Sequence, residues 1–296
     1  MKITFLGTSA MMPTKDRNHS SLFLQCKDEG ILVDCGEGTQ RQLRKAKISP
    51  SKITKVLISH WHGDHTLGIP GLMQNLGASN YKKTLEIYGP KGTKKYFKNM
   101  MSGFSYQIKI KHKVKEVSPG IIYKDKNLRI ESILLDHTIT TLGYSIRENE
   151  KLKMNLEYLK KFGLTQHPLL GKLQQGKDII YKGKRIFVKN ATIPVKGKKV
   201  TIIMDTAPCK NAEKLAKDSD LLIIESTWED KLKDLVKKRK HLTSKLAAEI
   251  GKKAKVKKII LTHFSQRYKS TKELESEARK VFKNLTAAKD LMEVEI

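Results

Sequence analysis

The chain has 296 residues and a mass of 33.7 kDa, with 39% hydrophobic and 30% charged residues, enough apolar mass for a substantial core. No run approaches the roughly 18 apolar residues of a membrane span, so a helical membrane protein is excluded. Its 59 basic residues outnumber 30 acidic ones, a formal charge of +29 with a pI near 9.9, which favours a polyanionic partner such as nucleic acid, bound by neutralising phosphates.

At the N-terminus, MKITFLGTSA alternates like a strand and lacks the apolar stretch and cleavage site of a signal peptide. The cysteines, Cys26, Cys35 and Cys209, lie in no CxxC pair, and a cytoplasmic protein is expected. Further along, SLFLQC (21–26), GILVDCG (30–36), KVLISH (55–60), LRIESILLDH (128–137), KVTIIMD (199–205), DLLIIES (220–226) and KKIILTH (257–263) read as strands. Helical patterns lie around 38–47, 66–77, 91–101, 209–217, 243–254 and 271–289. The mixed order implies an α/β fold with helices packed on sheets. One catalytic domain over 1–296 is expected, interrupted at 151–200. That segment holds thirteen Lys or Arg against two acids, Glu157 and Asp178, with glycines breaking a weak hydrophobic period, and reads as an inserted basic arm.

Several strands end in groups that bind metal. KVLIS runs into HWHGDH, placing His60, His62, Asp64 and His65 within six positions, and neutral imidazole with carboxylate is a donor set suited to zinc. Four such groups in one strand-end loop can serve two neighbouring metals. His137 after SILLD, Asp205 after TIIM and His263 after IILT close other apolar strands and are candidates to complete two sites. The donor set itself accepts several first-row metals.

FLGTSA, PTKDRN (13–18), LVDCGEGTQRQL (32–43), SHWHGDH (59–65), LLDHTITTLGY (134–144), MDTAP (204–208), ESTW (225–228), HLTS (241–244) and HFSQRY (263–268) occur in that order along nearly the whole chain. In this the sequence resembles ribonuclease Z, the family of tRNA 3′-processing endonucleases in the metallo-β-lactamase superfamily. HxHxDH marks only the superfamily; the PxKxRN loop, DCGEGTQ and HFSxRY mark the family.

The resemblance implies a four-layer αββα sandwich and two zinc ions per subunit. One ion would be held by His60, His62, His137 and Asp205, the other by Asp64, His65, Asp205 and His263. It further implies that Asp64 takes the proton of the attacking water. His241 protonates the leaving 3′ oxygen with Glu225 as its carboxylate partner. Ser265 and Arg267 hold an adjacent phosphate, and Pro13, Lys15, Arg17 and Asn18 lie near the RNA 3′ segment. The substrate is precursor tRNA, gripped by the arm at 151–200, and relatives work as homodimers. The arm departs from the family in carrying His167-Pro168 ahead of Gly171 where a Gly-Pro pair is usual. His19, His112 and His167 match no motif and read as structural or surface residues. A small-ester hydrolase of the same superfamily would need neither the basic arm nor a phosphate-holding arginine.

Overall fold

The computed structural model describes residues 1–296. The apolar runs form two seven-stranded sheets. The first is ordered Glu293–Glu295, Lys2–Gly7, Ser21–Cys26, Glu29–Val33, Ile53–Leu57, Leu85–Gly89 and His112–Glu116. The second runs Leu285–Ala287, Ile259–Thr262, Leu221–Glu225, Lys199–Ile203, Thr141–Glu148, Leu128–Leu135 and Gly120–Lys124. Lys199–Ile203, Leu221–Glu225, Ile259–Thr262 and Leu285–Ala287 pair in parallel, so their C-terminal ends reach one edge together.

The central strands, such as Lys199–Ile203 and Leu221–Glu225, are buried on both faces, which is why they read as continuous apolar runs. Ile3, Leu24 and Val33 from the first sheet share a core with Ile130, Tyr144, Ile202 and Ile223 from the second. On the outer face of the first sheet, Leu43, Leu72, Met73 and Phe97 bring in the helices Thr39–Lys45, Ile69–Ala78 and Thr93–Ser102. On that of the second, Leu215, Ala247, Ile250, Leu274 and Ala278 bring in Lys210–Ala216, Ser244–Lys253 and Lys272–Arg279. The result is the expected helix–sheet–sheet–helix order. Truncating a side chain of the shared layer, such as Ile223→Ala, costs about 2–5 kcal/mol because the packed neighbours cannot fill the space.

The helix expected over 271–289 stops at Arg279. Leu285–Ala287 is instead an edge strand pairing with Ile259–Leu261, and Ala287 N–H is further held by Glu275 Oε2. Backbone pairing there overrides the helical pattern.

Residues Arg147–Lys198 form a compact unit separate from Met1–Ile146 with Lys199–Ile296. In it Lys151–Met154 pairs with Thr192–Val195 and Ile179–Tyr181 with Lys184–Ile186, beside short helices Leu156–Lys160, Leu170–Gln174 and Val188–Ala191. Leu159, Leu164, Leu173, Ile179, Ile186 and Ala191 give this unit its own small core. No helix of the chain is long and apolar enough to cross a membrane.

Candidate metal centre

The strand Ile53–Leu57 leads into the loop carrying His60 and His62, and Asp64 and His65 sit on the single helical turn Gly63–Thr66. That loop packs directly on the DCGEG segment. A Cβ on Gly36 would fall 2.3 Å from the Asp64 carbonyl oxygen and one on Gly68 would fall 2.2 Å from the Gly36 carbonyl oxygen, so only glycine permits the approach. From the second sheet, Asp205, Glu225 and His263 arrive at the ends of three adjacent parallel strands, and His137 follows Leu128–Leu135.

These ends bring the histidines and aspartates into contact. Donor atoms of His60, His62, His137 and Asp205 lie within 4.8 Å of one another, as do those of Asp64, His65 and His263. Asp205 faces both groups. Its Oδ2 is 3.6 Å from His60 Nε2 and 3.8 Å from His137 Nε2, and its Oδ1 is 3.5 Å from His65 Nε2 and 3.2 Å from His263 Nε2. Asp64 Oδ2 stands 3.4 Å from His65 Nε2 and 3.6 Å from His263 Nε2.

The electrostatics favour a cation. Burial pushes His60, His62 and His137 below the usual histidine range, leaving neutral imidazoles with lone pairs to offer. Burial also opposes charge on His65, yet Asp205, Asp64 and Asp34 hold it well above that range. Burial likewise opposes ionised Asp64 and Asp205, and the surrounding histidines more than offset it, keeping both carboxylates low. Three donor atoms on the side of the second group, His65 Nε2, His263 Nε2 and the Asp205 Oδ1 that faces them, are buried without a hydrogen-bond partner. Such atoms are costly unless something binds them, and a metal ion is what this donor set fits.

An outer layer aims the donors. Asp34, in the left-handed region at φ 58°, places Oδ2 2.7 Å from His65 Nδ1 and accepts Ser59 N–H and Oγ–H at 2.7 and 2.8 Å. Thr227 Oγ1 donates to Glu225 Oε2 at 2.7 Å and lies 3.1 Å from His263 Nδ1. Met11 N–H donates to Asp64 Oδ2 at 2.9 Å, and His137 Nδ1 is 3.0 Å from the Lys240 carbonyl. Met11, Asp34, Lys240 and His263 all have positive φ, between 54° and 58°, so backbone strain gathers around this centre. Asp34 and Met11 were missed in the sequence. Asp34 closes an apolar strand as the candidate ligands do and was legible by that signal; Met11 acts through its backbone and left none.

His241 is brought to the same place by the turn after Asp234–Arg239. Its Nδ1 is 3.1 Å from Glu225 Oε1 and 3.8 Å from Asp205 Oδ2. Burial pushes this imidazole down, but the Glu225 and Asp205 carboxylates overcome it and raise its pKa to about 9.

The centre opens into a cavity of about 840 Å³ lined by Met11, His62, His137, Trp228, His241 and Arg267 among others. Arg267 Nε donates to Ser265 Oγ at 3.3 Å, and Arg267 makes no ion pair, so its guanidinium is available. Lys15 is exposed. Arg17 and Asn18 differ from the expected RNA contacts. Arg17 is buried, with Nη2 donating to the carbonyls of Ser265 and Tyr268 at 3.3 and 2.6 Å, and Asn18 Nδ2 donates to the Glu37 carbonyl at 2.7 Å. Both are committed to backbone acceptors and shape the loop from inside. His19 also lines the cavity, buried with Nε2 3.1 Å from the Met11 carbonyl. His112 Nδ1 lies near the Ile110 carbonyl, and His167 Nδ1 accepts Leu169 N–H.

Two facing sheets with a His/Asp cluster at their common edge define a metal-dependent hydrolase of the metallo-β-lactamase fold. The solved metallo-beta-lactamase fold protein YhfI from Bacillus subtilis superposes with a TM-score of 0.71 at 21% identity, over 99% of this chain and 98% of that one. Human tRNase Z, short form, superposes with a TM-score of 0.74 at 28% identity, over 100% and 99%. Ribonuclease Z of Methanothermobacter thermautotrophicus is 40% identical over 298 residues, covering 100% of this chain and 97% of that protein. Residues 1–157 match the family described as Anti-Pycsar protein Apyc1, a match that ends before the strands supplying Asp205, Glu225 and His263. The full-length relatives reach those strands: the chain belongs to the ribonuclease Z family.

Proposed function

We propose that this endoribonuclease removes the 3′ trailer of precursor tRNA by one cut that leaves a 3′-hydroxyl on the tRNA and a 5′-phosphate on the trailer, using two zinc ions per subunit. The observation that carries the two-metal reading is Asp205, whose two oxygens face two separate donor groups. His60, His62, His137 and Asp205 would hold one ion, and Asp64, His65, His263 and Asp205 the other. When bound, such a pair makes a water nucleophilic at neutral pH and neutralises charge on the phosphoryl oxygens.

The protein's own groups do the rest. Asp64 accepts the proton of the attacking water. His241 keeps Nδ1 on Glu225 Oε1, so its Nε2–H is the proton available to the departing 3′ oxygen. Glu225 holds the ring in that orientation, being itself fixed by Thr206 N–H at 2.8 Å and by Thr227. Ser265 and the guanidinium of Arg267, which makes no ion pair, suit a neighbouring phosphate, for which a planar fork gives both charge and direction. The basic unit 147–198, which takes in all but the last two residues of the arm expected at 151–200, grips the tRNA through its phosphates and shape. A homodimer, with one subunit's arm serving the partner's site, and a cytoplasmic setting complete the reading.

The test is cleavage of an end-labelled precursor tRNA with a 3′ trailer by the zinc-loaded protein and by Asp64→Ala and His241→Ala. A single cut next to the discriminator base, abolished in the first variant and slowed in the second, supports the assignment. Tight, salt-sensitive binding without any cut by the wild type overturns it in favour of an RNA-binding protein.

A further inference from the structure

The C-terminal turn contains a carboxylate aimed into the molecule that the reaction does not use. Asp290 Oδ1 accepts Thr8 Oγ1–H at 2.8 Å, and Oδ2 accepts Asn18 N–H at 2.7 Å and Gln42 Nε2–H at 2.9 Å. The donors come from three segments far apart in sequence, and Asn18 ends the 13–18 loop. The loop has further ties, from Arg17 Nη2 to the Ser265 and Tyr268 carbonyls and from Asn18 Nδ2 to the Glu37 carbonyl. Thr14 and Arg17 close it on itself, through Thr14 N–H to the Arg17 carbonyl and Arg17 N–H to Thr14 Oγ1, and Asn18 carries Ser9 N–H on its carbonyl.

The backbone is strained to deliver this side chain. Leu291, the next residue, has φ 65°, a conformation unfavourable for leucine, and its side chain is 36% exposed, so burial of an apolar group does not offset the strain. The turn is locked by Leu291 N–H to the Phe5 carbonyl and Phe5 N–H to the Met292 carbonyl. Its yield is the inward carboxylate, which accepts three charge-assisted hydrogen bonds.

We infer that Asp290 is a positioning residue for RNA: it fixes the 13–18 loop, whose flanking residues Met11 and His19 line the cleft, and thereby sets where the RNA 3′ segment lies relative to the metal centre. This rests on the tRNA-processing reading above. Asp290 contacts no catalytic group, so its loss changes how RNA is held. The amide of asparagine preserves the pattern, because its oxygen can accept from Asn18 and Gln42 while its NH₂ donates to the Thr8 hydroxyl.

Steady-state kinetics on a trailer-bearing precursor tRNA and on bis(p-nitrophenyl) phosphate, a small phosphodiester too short to reach the loop, separate the possibilities. For Asp290→Ala, kcat/KM on the precursor falls about tenfold to a hundredfold further than on the small diester, mostly through KM. Amide exchange over residues 13–18 accelerates, and Asp290→Asn restores both. Equal losses on the two substrates, or an unchanged precursor KM, overturn the inference while leaving the proposed function standing. A wild type that cuts the diester and not the precursor overturns both. If Asp290→Ala does not fold, Thr8→Val, which removes one donor, is measured the same way.

Discussion

Glu225 Oε1 is shared between His241 Nδ1 at 3.1 Å and Thr206 N–H at 2.8 Å, in a carboxylate with no exposed surface. A carboxylate so held cannot turn away, and neither can the imidazole bound to it.

Replacing His241 by alanine should therefore lower the single-turnover rate on precursor tRNA by about 10²–10⁴-fold, the usual worth of a positioned proton donor. A precursor with sulfur at the bridging 3′ position, whose leaving group needs no proton, should recover most of that loss. Glu225→Gln should cost less, since the amide oxygen still orients the ring. An equal penalty on the oxygen and sulfur substrates would remove His241 from the proton-donating role.

Metal removal should destabilise the fold as well as stop the reaction. With His65 Nε2, Asp205 Oδ1 and His263 Nε2 lacking partners, a bound ion at a thousand times its dissociation constant contributes about 4 kcal/mol. Differential scanning calorimetry should show Tm falling on chelation and returning with zinc. In Asp205→Ala the loaded and chelated curves should converge.

Acid stability should depend on Glu29. Burial pushes its pKa up, but the hydrogen bonds from Lys55 Nζ, at 2.6 Å, and from Thr54, with Tyr123 adding to them, hold it below the usual glutamate range. Glu86, 3.8 Å from Lys55, and Asp125, beside Tyr123, complete the charged surroundings. Because the folded pKa is the lower one, this contribution is present above the unfolded pKa, near 4.3, and is lost as pH falls through the folded value. Urea midpoints should thus drop more steeply below pH 5 for the wild type than for Glu29→Gln.

The basic unit should be separable from the chemistry. Glu148 N–H donates to the Lys198 carbonyl at 2.9 Å, so its two ends lie side by side and a short linker can replace it. The deletion should keep hydrolysis of bis(p-nitrophenyl) phosphate and lose precursor binding. Replacing lysines of this unit singly should reduce the slope of log K against log salt by about 0.7–0.9 for each phosphate contact removed.

The candidate ligands were legible because strand ends deliver them: an apolar run closing on His or Asp is a local pattern, and in parallel sheets strand ends converge. Local patterns say nothing of direction in irregular loops. Arg17 and Asn18 look like solvent-facing contacts in PTKDRN, and only partners distant in sequence, Tyr268 and Asp290, turn them inward. The strands Leu85–Gly89 and Thr141–Glu148 carried no ligand-bearing end to draw notice, and the helix expected to 289 yielded to pairing with Ile259–Leu261. The core of unit 147–198 is spread thinly over five short elements, each too brief to show a period.

The donors run from His60 to His263, and Asp205, Glu225 and His263 depend on three adjacent strands being in register. A chain still emerging from the ribosome therefore has no working centre until the Ile259–Thr262 strand has docked. A ribonuclease assembled among the RNAs of translation stays harmless to them for most of its own synthesis.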